Sequence, residues 1–409
     1  MHGQGSRLLG LDGVVVTDVC EVGDQLDLQV ELIARAAACP WCGQVSGEIK
    51  ERPVVAVRDL PIGGRRTVLR WRKRRYRCPA CARTFTETHP GLPARQRVTD
   101  RFRRRLRERV SGGAAHAEVA RDEQTTRHHV ARAFRLAADD HHACRGGASF
   151  PRRLSLDEAH HRRGRELASV VSDLDRRCVV DVIDGCTRRA VERYLGSLSE
   201  QQRRAVEVVS IDPSEAYRQA IRSQLPAARI VCDHFHLVRG ANTALDSIRR
   251  ERQRQRARGR PRGARRSGRL GRWDPELYRA RHPLLRAAER LREGDRRRLC
   301  DLFERDPILA EARGLKEAFR AIYRSDDRSQ AEQRLEAFLS AVDRAGLPTF
   351  DAFAKGVRSW RSELLAYFDE PTTNGYAEGV INKVKVIKRR AYGIPTFDAF
   401  RDRVLLACG

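Results

Sequence analysis

The sequence predicts a multidomain α+β protein. Three observations carry that prediction. Two Cys-x-x-Cys pairs lie among short β-branched runs near the N-terminus. Residues Val206–Val238 read as strand, acid, helix, strand, acid. The C-terminal half repeats Leu, Ala and Phe at helical spacing. At about 100–200 residues per domain, a chain of 409 residues holds two or three domains.

Residues 1–93 form an N-terminal β region. Residues 8–34 read as two or three short strands. Cys39-Pro-Trp-Cys42-Gly and Cys78-Pro-Ala-Cys81 then offer two turns that can each aim two thiolates at one ion. Strands at Val54–Arg58 and Arg66–Arg77, joined by a Pro61–Gly64 turn, lie between them. This is a zinc-ribbon pattern. Four thiolates close a tetrahedron, so one structural Zn²⁺ is expected, with no position open for catalysis. The other seven cysteines are scattered and read as small hydrophobes or unpaired thiols. The strand ending at Cys78 interleaves aromatics with positive charge, and Arg70, Trp71, Arg72, Lys73, Arg74 and Arg75 are candidate DNA-backbone contacts. A plain solvated face is the alternative.

Residues 95–145 read as helices. Thr99 or Asp100 caps a basic helix to Val110, and Gly112-Gly113 breaks it. Helices at Ala115–Arg121 and Gln124–Leu136 flank a turn at Asp122–Glu123, as in a helix-turn-helix. Thr125, Thr126, Arg127 and His128 would then face bases. A simple helical hairpin is the competing reading. Gly146–Ala148 reads as a linker.

Residues 150–239 carry the acids. Leu154-Ser-Leu156 runs into Asp157, and Leu167–Ser172 and Cys178–Ile183 form a hairpin. A strand at Val206–Ile211 stops at Asp212, a helix spans Ser214–Gln224, and a strand at Ile230–Cys232 stops at Asp233. Three antiparallel strands followed by strand–helix–strand give a five-stranded mixed sheet, the order of an RNase H-like α/β core. Asp157 and Asp212 would lie side by side in it. Adjacent carboxylates at the C-terminal edge of parallel strands are costly without a cation, and a divalent metal supplies one. The blander reading makes Asp212 a helix cap and Asp233 a loop residue. The letters Asp157-Glu-Ala-His160 match a helicase motif, but no Gly-Lys pair exists to build the phosphate loop such an enzyme needs.

Residues 240–370 read as a basic and helical insertion in that core. Residues 251–272 hold ten arginines among Gly, Pro and Ser. Amphipathic helices follow at 276–293, 296–304, 307–324, 328–344 and 350–369. Residues 371–409 return to the core. Asn374 or Thr373 caps a helix with Glu378 early and Lys383, Lys385, Lys388, Arg389 and Arg390 later. That distribution suits the helix dipole; the functional reading makes Glu378 a third metal ligand and the bases a DNA grip. Asn382 shares the Glu378 face.

The net charge of +27 calls for a polyanionic partner, and only seven of 81 basic residues are Lys. Arginine forks match phosphate oxygens, so double-stranded DNA is the expected partner. No apolar run is long enough to span a membrane and no signal-peptide pattern opens the chain, so a cytoplasmic, nucleoid-associated protein is expected.

Together the two Cys-x-x-Cys knuckles, the helix-turn-helix, the Asp157-Glu158 strand end, the Ser-Ile-Asp212-x-Ser junction, Asp233-His-Phe-His236 and the C-terminal N-G-x-x-E-G-x-x-N-K-x-K-x-x-K-R-x-A-Y-G resemble the insertion-sequence transposases of the ISL-three group, a DDE class. The resemblance covers nearly the whole chain. It implies Asp157, Asp212 and Glu378 as the catalytic triad, with two Mg²⁺ or Mn²⁺ ions, and Asp233, His236 and Asn382 as accessory residues. It also implies binding to terminal inverted repeats, strand cleavage and strand transfer, and a homodimer on paired ends. Two rival classes remain at this stage: a DNA-binding regulator with an inactive core, and a nuclease of the same fold that cuts without joining.

Overall fold

The computed structural model describes residues 9–92, 97–144, 149–161, 166–258 and 274–409; the Gly146–Ala148 linker and most of the arginine-rich segment (259–272) lie outside the described residues. The chain divides into two compact units. One comprises Met1–Ala148 with Val386–Ala407, and the other Ser149–Lys385 with Cys408–Gly409.

The first unit is built on a four-stranded sheet. Strands β1 (Val14–Val22), β2 (Gln25–Leu32), β6 (Val54–Ile62) and β7 (Arg65–Arg72) stand in the order β1-β2-β7-β6. The β6–β7 hairpin closes on Gly63 and Gly64, both at positive φ, with Ile62 opposite Arg65. A two-residue turn with two left-handed positions matches strand twist, so both strands run further toward the tip than sequence alone places them. Leu28, Val30, Val57, Leu69 and Trp71 fill one face. Short strands β3 (Ala37–Ala38), β4 (Val45–Ser46), β5 (Ile49–Glu51), β8 (Arg75–Arg77) and β9 (Thr84–Thr86) carry the cysteine turns.

Helices α1 (Asp100–Ser111), α2 (His116–Asp122) and α3 (Arg127–Cys144) close around Phe102, Leu106, Val110, Val119, Val130 and Phe134. The Thr99 hydroxyl caps α1 by accepting from Phe102 N. The α2–α3 turn occupies residues 123–126, with Gln124 at φ +47°, so α3 starts three residues later than the sequence suggests. Buried Arg58 joins sheet to helices: it donates to Thr67 O and Glu123 O, and its guanidinium lies 5.1 Å from the Phe102 ring centre.

The second unit holds a five-stranded mixed sheet. Strands β10 (Arg153–His160), β11 (Leu167–Asp173), β12 (Cys178–Asp184), β13 (Val208–Ile211) and β14 (Arg229–Cys232) stand in the order β12-β11-β10-β13-β14. The first three pair antiparallel, and β13 runs parallel to both β10 and β14. Leu154, Leu156, Val209 and Ile211 bury one face with residues of α4 (Arg188–Ser197), α6 (Glu215–Gln224) and α7 (His234–Arg258). Val208 and Val231 of the other face pack on Ala366 and Tyr367.

α4 and the short α5 (Glu200–Ala205) were not anticipated, although Thr187 and the Ser199–Gln202 capping box mark their starts. The helical block continues with α8 (Pro275–Leu285), α9 (Glu293–Arg305), α10 (Pro307–Ile322), α11 (Arg328–Ala345), α12 (Pro348–Ser359) and α13 (Arg361–Leu365). The helix expected at 276–293 ends at Leu285, two residues after Pro283. That expected at 350–369 breaks at Trp360, whose ring lies 4.2 Å under the Arg218 guanidinium. No described helix is long and apolar enough to cross a membrane. The unit boundary falls within α14 (Gly375–Arg390), between Lys385 and Val386; α15 (Phe397–Cys408) follows.

Candidate functional site

Each cysteine pair is shaped by its own backbone. In the first, Gly43 N donates to Cys39 O and Cys39 N to Gln44 O, both at 2.9 Å. In the second, Ala82 N donates to Cys78 O at 3.0 Å and Cys78 N to Arg83 O at 2.9 Å. The residue after each second cysteine is left-handed: Gly43 at φ +75° and Ala82 at φ +58°. The two turns face each other, with Cys39 Sγ 3.7 Å from Cys81 Sγ and Cys42 Sγ 3.5 Å from Cys78 Sγ. Backbone N–H groups, that of Cys81 foremost, bring the Cys78 thiol down to about 7. All four sulfurs lie within 4.8 Å of one another, the arrangement a tetrahedral ion needs.

A second cluster forms by register. Leu156 pairs with Ile211, and Ile211 with Cys232, so Asp157, Asp212 and Asp233 each follow the last residue of the parallel pairing, with Asp157 still paired to Val170 on its other side. The Asp212 carboxylate does not cap α6, whose cap position is Ser214. His236, in the first turn of α7, sets Nδ1 2.9 Å from Asp233 Oδ2 and 2.8 Å from Asp212 Oδ1. One N–H cannot serve both. It donates to Asp233 Oδ2 and ion-pairs with Asp212 Oδ1, which is buried. Contact with Asp212 and then Asp233 pushes the imidazole up to about 10, so it is a cation at neutral pH. Burial, then the Asp212 charge, pushes the Asp157 carboxyl up to about 6. Three carboxyl groups thus share one positive charge.

Among the described residues, the oxygen- and nitrogen-bearing group close enough to share one ion is Asp212, Asp233 and His236. Asp157 stands beside it and Glu378 outside it. Glu378 is exposed in the first turn of α14, where its N–H donates to Asn374 O at 2.8 Å. Asn382 is exposed one turn further on and accepts from Lys385 Nζ at 3.5 Å.

A family model described as "Transposase", of the ISL3 type of the DDE class, matches residues 154–404. The chain belongs to the ISL3 group of DDE transposases. A second model, described as the zinc-finger of transposase IS204/IS1001/IS1096/IS1165, matches residues 35–81, the span that holds all four facing thiols. The chain is similar to the transposase for insertion sequence element IS1001 of Bordetella parapertussis, at 28% identity over 374 residues, 91% of this chain and 88% of that protein. It is also similar to the transposase for insertion sequence element IS1557 of Mycobacterium tuberculosis, at 27% identity over 258 residues, 59% of this chain and 56% of that protein. Its family is one of enzymes that act on DNA, and family and thiol geometry together support one structural Zn²⁺.

The basic strand β7 and its sequel need correction. Trp71, Lys73 and Arg74 are buried and belong to the frame of the first unit, not to a DNA-facing edge. Trp71 Nε1 donates to Glu87 Oε1 at 3.2 Å, Lys73 lies 4.7 Å over the Trp71 ring, and Arg74 donates to Leu32 O and Glu31. Alternation explains Trp71, which shares the inward face with Leu69; charge density hid it in the sequence. Arg70, Arg72 and Arg75 remain accessible, each beside an acid: Asp27, Glu31 and Glu51. Thr126, Arg127 and His128 are exposed at the start of α3, with Thr125 half-buried just before. Lys383, Lys385, Arg389 and Arg390 are exposed on α14, and Lys388 is half-buried. Arg390 donates to Gly112 O at 3.0 Å.

Proposed function

We propose that this chain binds the terminal inverted repeats of an insertion sequence and catalyses metal-dependent DNA strand cleavage and strand transfer on an RNase H-like core. The observation that carries the reading is the acid pair on adjacent parallel strands, with Asp157 held up to about 6 beside the Asp212 charge. Hard oxygen donors short of positive charge fit Mg²⁺ or Mn²⁺. Asp157, Asp212 and Glu378 would hold the ions. Bound there, such ions neutralise charge on phosphate oxygens and lower the pKa of water.

The chain's own residues prepare that site. The Ile211–Cys232 pairing aligns Asp212 with Asp233. His236 ion-pairs with both Asp233 and Asp212 and so holds the two carboxylates together at the sheet edge. The order β12-β11-β10-β13-β14 supports the RNase H-like reading, in which Glu378 supplies the third acid from α14. The α2–turn–α3 unit supports a helix-turn-helix, with Thr125, Thr126, Arg127 and His128 toward bases. Arg70, Arg72 and Arg75 and the α14 bases would contact phosphates. A homodimer on paired ends belongs to the same reading.

The test uses purified protein with Mg²⁺ or Mn²⁺ and a duplex carrying the DNA that flanks the reading frame. Nicking at the repeat ends and joining to a second duplex are expected. In Asp157→Ala and Glu378→Gln both fall below about one-thousandth of wild type, roughly 4 kcal/mol, while end binding is retained. Full cleavage by either variant sinks its assignment. Tight binding without cutting by wild type makes the protein a regulator, and cutting without joining makes it a nuclease.

A further inference from the structure

The start of α14 borders a cavity of about 490 Å³ that none of these roles uses. Arg153, Arg177, Thr372, Thr373, Gly375 and Tyr376 line it. Thr372 is 3% exposed, yet its hydroxyl has no hydrogen-bond partner. Asn374, 4% exposed at the helix start, accepts from Glu378 N through its carbonyl, while both polar atoms of its side chain are unpartnered. The cap expected of Asn374 is therefore not made by its side chain. A helix start that lacks a side-chain cap carries free N–H donors and partial positive charge. An unpaired buried hydroxyl is destabilising, and an acceptor oxygen placed in the cavity would relieve it.

We propose that this cavity seats one phosphate of a DNA strand running to the acid cluster. The proposal rests on the transposase reading and adds a contact to it. Arg177 is exposed beside the cavity and supplies the positive charge. Arg153 Nε is engaged by Asp175 Oδ1 at 2.7 Å, so Arg153 turns only part of its fork to an anion. Glu370 adds a weak negative influence on Arg153. Asp173 is buried and satisfied by the N–H groups of Asp175 and Arg176 at 2.9 and 3.0 Å. Thr372 Oγ1 and the α14 N–H groups complete a donor set for phosphate oxygens. Arg153 and Asp157 stand four residues apart on β10, on one face, at about 13 Å along the strand. At about 3.4 Å of rise per nucleotide, the bound phosphate lies about four nucleotides from the acids.

The experiment measures binding of full-length wild type and Arg177→Ala to end duplexes, each with a single methylphosphonate placed stepwise about the cleavage position. One position is expected to weaken wild type about 3–10-fold and to leave Arg177→Ala unaffected. The variant's salt slope should fall by about 0.9, the value of one phosphate contact. Thr372→Val, which keeps shape and removes the hydroxyl, should lose sensitivity at the same position while melting no lower than wild type. Equal affinity and slope in Arg177→Ala, or a loss with no silenced position, overturns the contact and leaves the transposase reading intact. If wild type binds no end duplex, the function reading fails and DNA is removed as the occupant. Melting in inorganic phosphate then decides the cavity: stabilisation of wild type alone keeps an anion site, and equal response in both proteins removes it.

Discussion

The cysteine cluster of the first unit and the acid cluster of the second both gather negative charge, and they are assembled by opposite means. Each cysteine turn is finished within six residues, with backbone N–H groups aimed at its own sulfurs. Asp157, Asp212 and Asp233 come from three strands and meet only because β13 pairs parallel with β10 and β14. The first centre is written into local turns, the second into sheet register. The first gathers four thiols, whereas the second sets three carboxyl groups around the single imidazole of His236. A site made by turns can be read from contiguous residues, and a site made by register exists only once the sheet has formed.

The largest expected effect separates the two centres. Cys39→Ser should reduce bound zinc from one ion per chain to none by metal analysis. Zinc binding of this kind is worth about 10–16 kcal/mol, so the ribbon strands should lose their calorimetric transition. Melting of the five-stranded sheet should persist. Collapse of both transitions together would show that the centres are not independent.

The next contrast is in pH. The Asp157 carboxyl ordinarily titrates at 3.8 and stands at about 6 in the fold, so the native state holds its proton more tightly. Its contribution favours folding below pH 3.8 and is lost as pH rises through 6. In chelated protein at pH 8, Asp157→Asn should raise stability by about 3 kcal/mol, and at pH 3.5 by almost nothing. An equal gain at both pH values would remove charge burial as the cause.

His116 of the first unit behaves in the reverse sense. Burial, then the charges of Arg403 and Arg127, holds it down to about 4 from 6.5. It favours folding above pH 6.5 and costs stability as pH falls toward 4, by about 2 kcal/mol after allowance for partial exposure. His116→Gln should flatten the acid limb of the first unit's melting curve and leave the second unit's unchanged.

The smallest effect lies within the ribbon. Ala82 occupies the left-handed position that glycine fills in the partner turn. Ala82→Gly should stabilise the unit by about 0.5–1 kcal/mol, and Gly43→Ala should cost about 1 kcal/mol, both read from thermal midpoints. No atom lies within 4 Å of a Cβ built on Gly43, so backbone strain alone sets that cost.

Legibility followed the same division. The cysteine turns could be read directly because all their determinants are contiguous. The strands before Asp212 and Asp233 are readable from β-branched runs that end in an acid, whereas the strand of Asp157, expected to end at the acid, runs on to His160. What sequence could not supply was the shared proton of His236, which depends on Asp212 and Asp233 converging from different strands. Nor could it tell buried cations from exposed ones in Arg70–Arg75, where Lys73 lies on Trp71 and Arg74 satisfies carbonyls of β2 and the residues after it. Helix α4 is hard to read because charged residues mask a short apolar face of Ala190, Val191 and Leu195, and α5 buries no residue at all, although both carry caps.

Strand β10 carries a genetic consequence. Its side chains alternate, so Leu154 and Leu156 enter the core while Arg153 and Asp157 face the other way. Loss of one codon between Arg153 and Asp157 would invert every later position, driving the acid into the apolar layer and a leucine out of it. A codon lost from the surface of the helical block shifts no strand. The gene therefore presents uneven targets to frame-preserving deletions: the three codons from Leu154 to Leu156 tolerate none, whereas the connections between surface helices of the helical block can lose one without moving a strand.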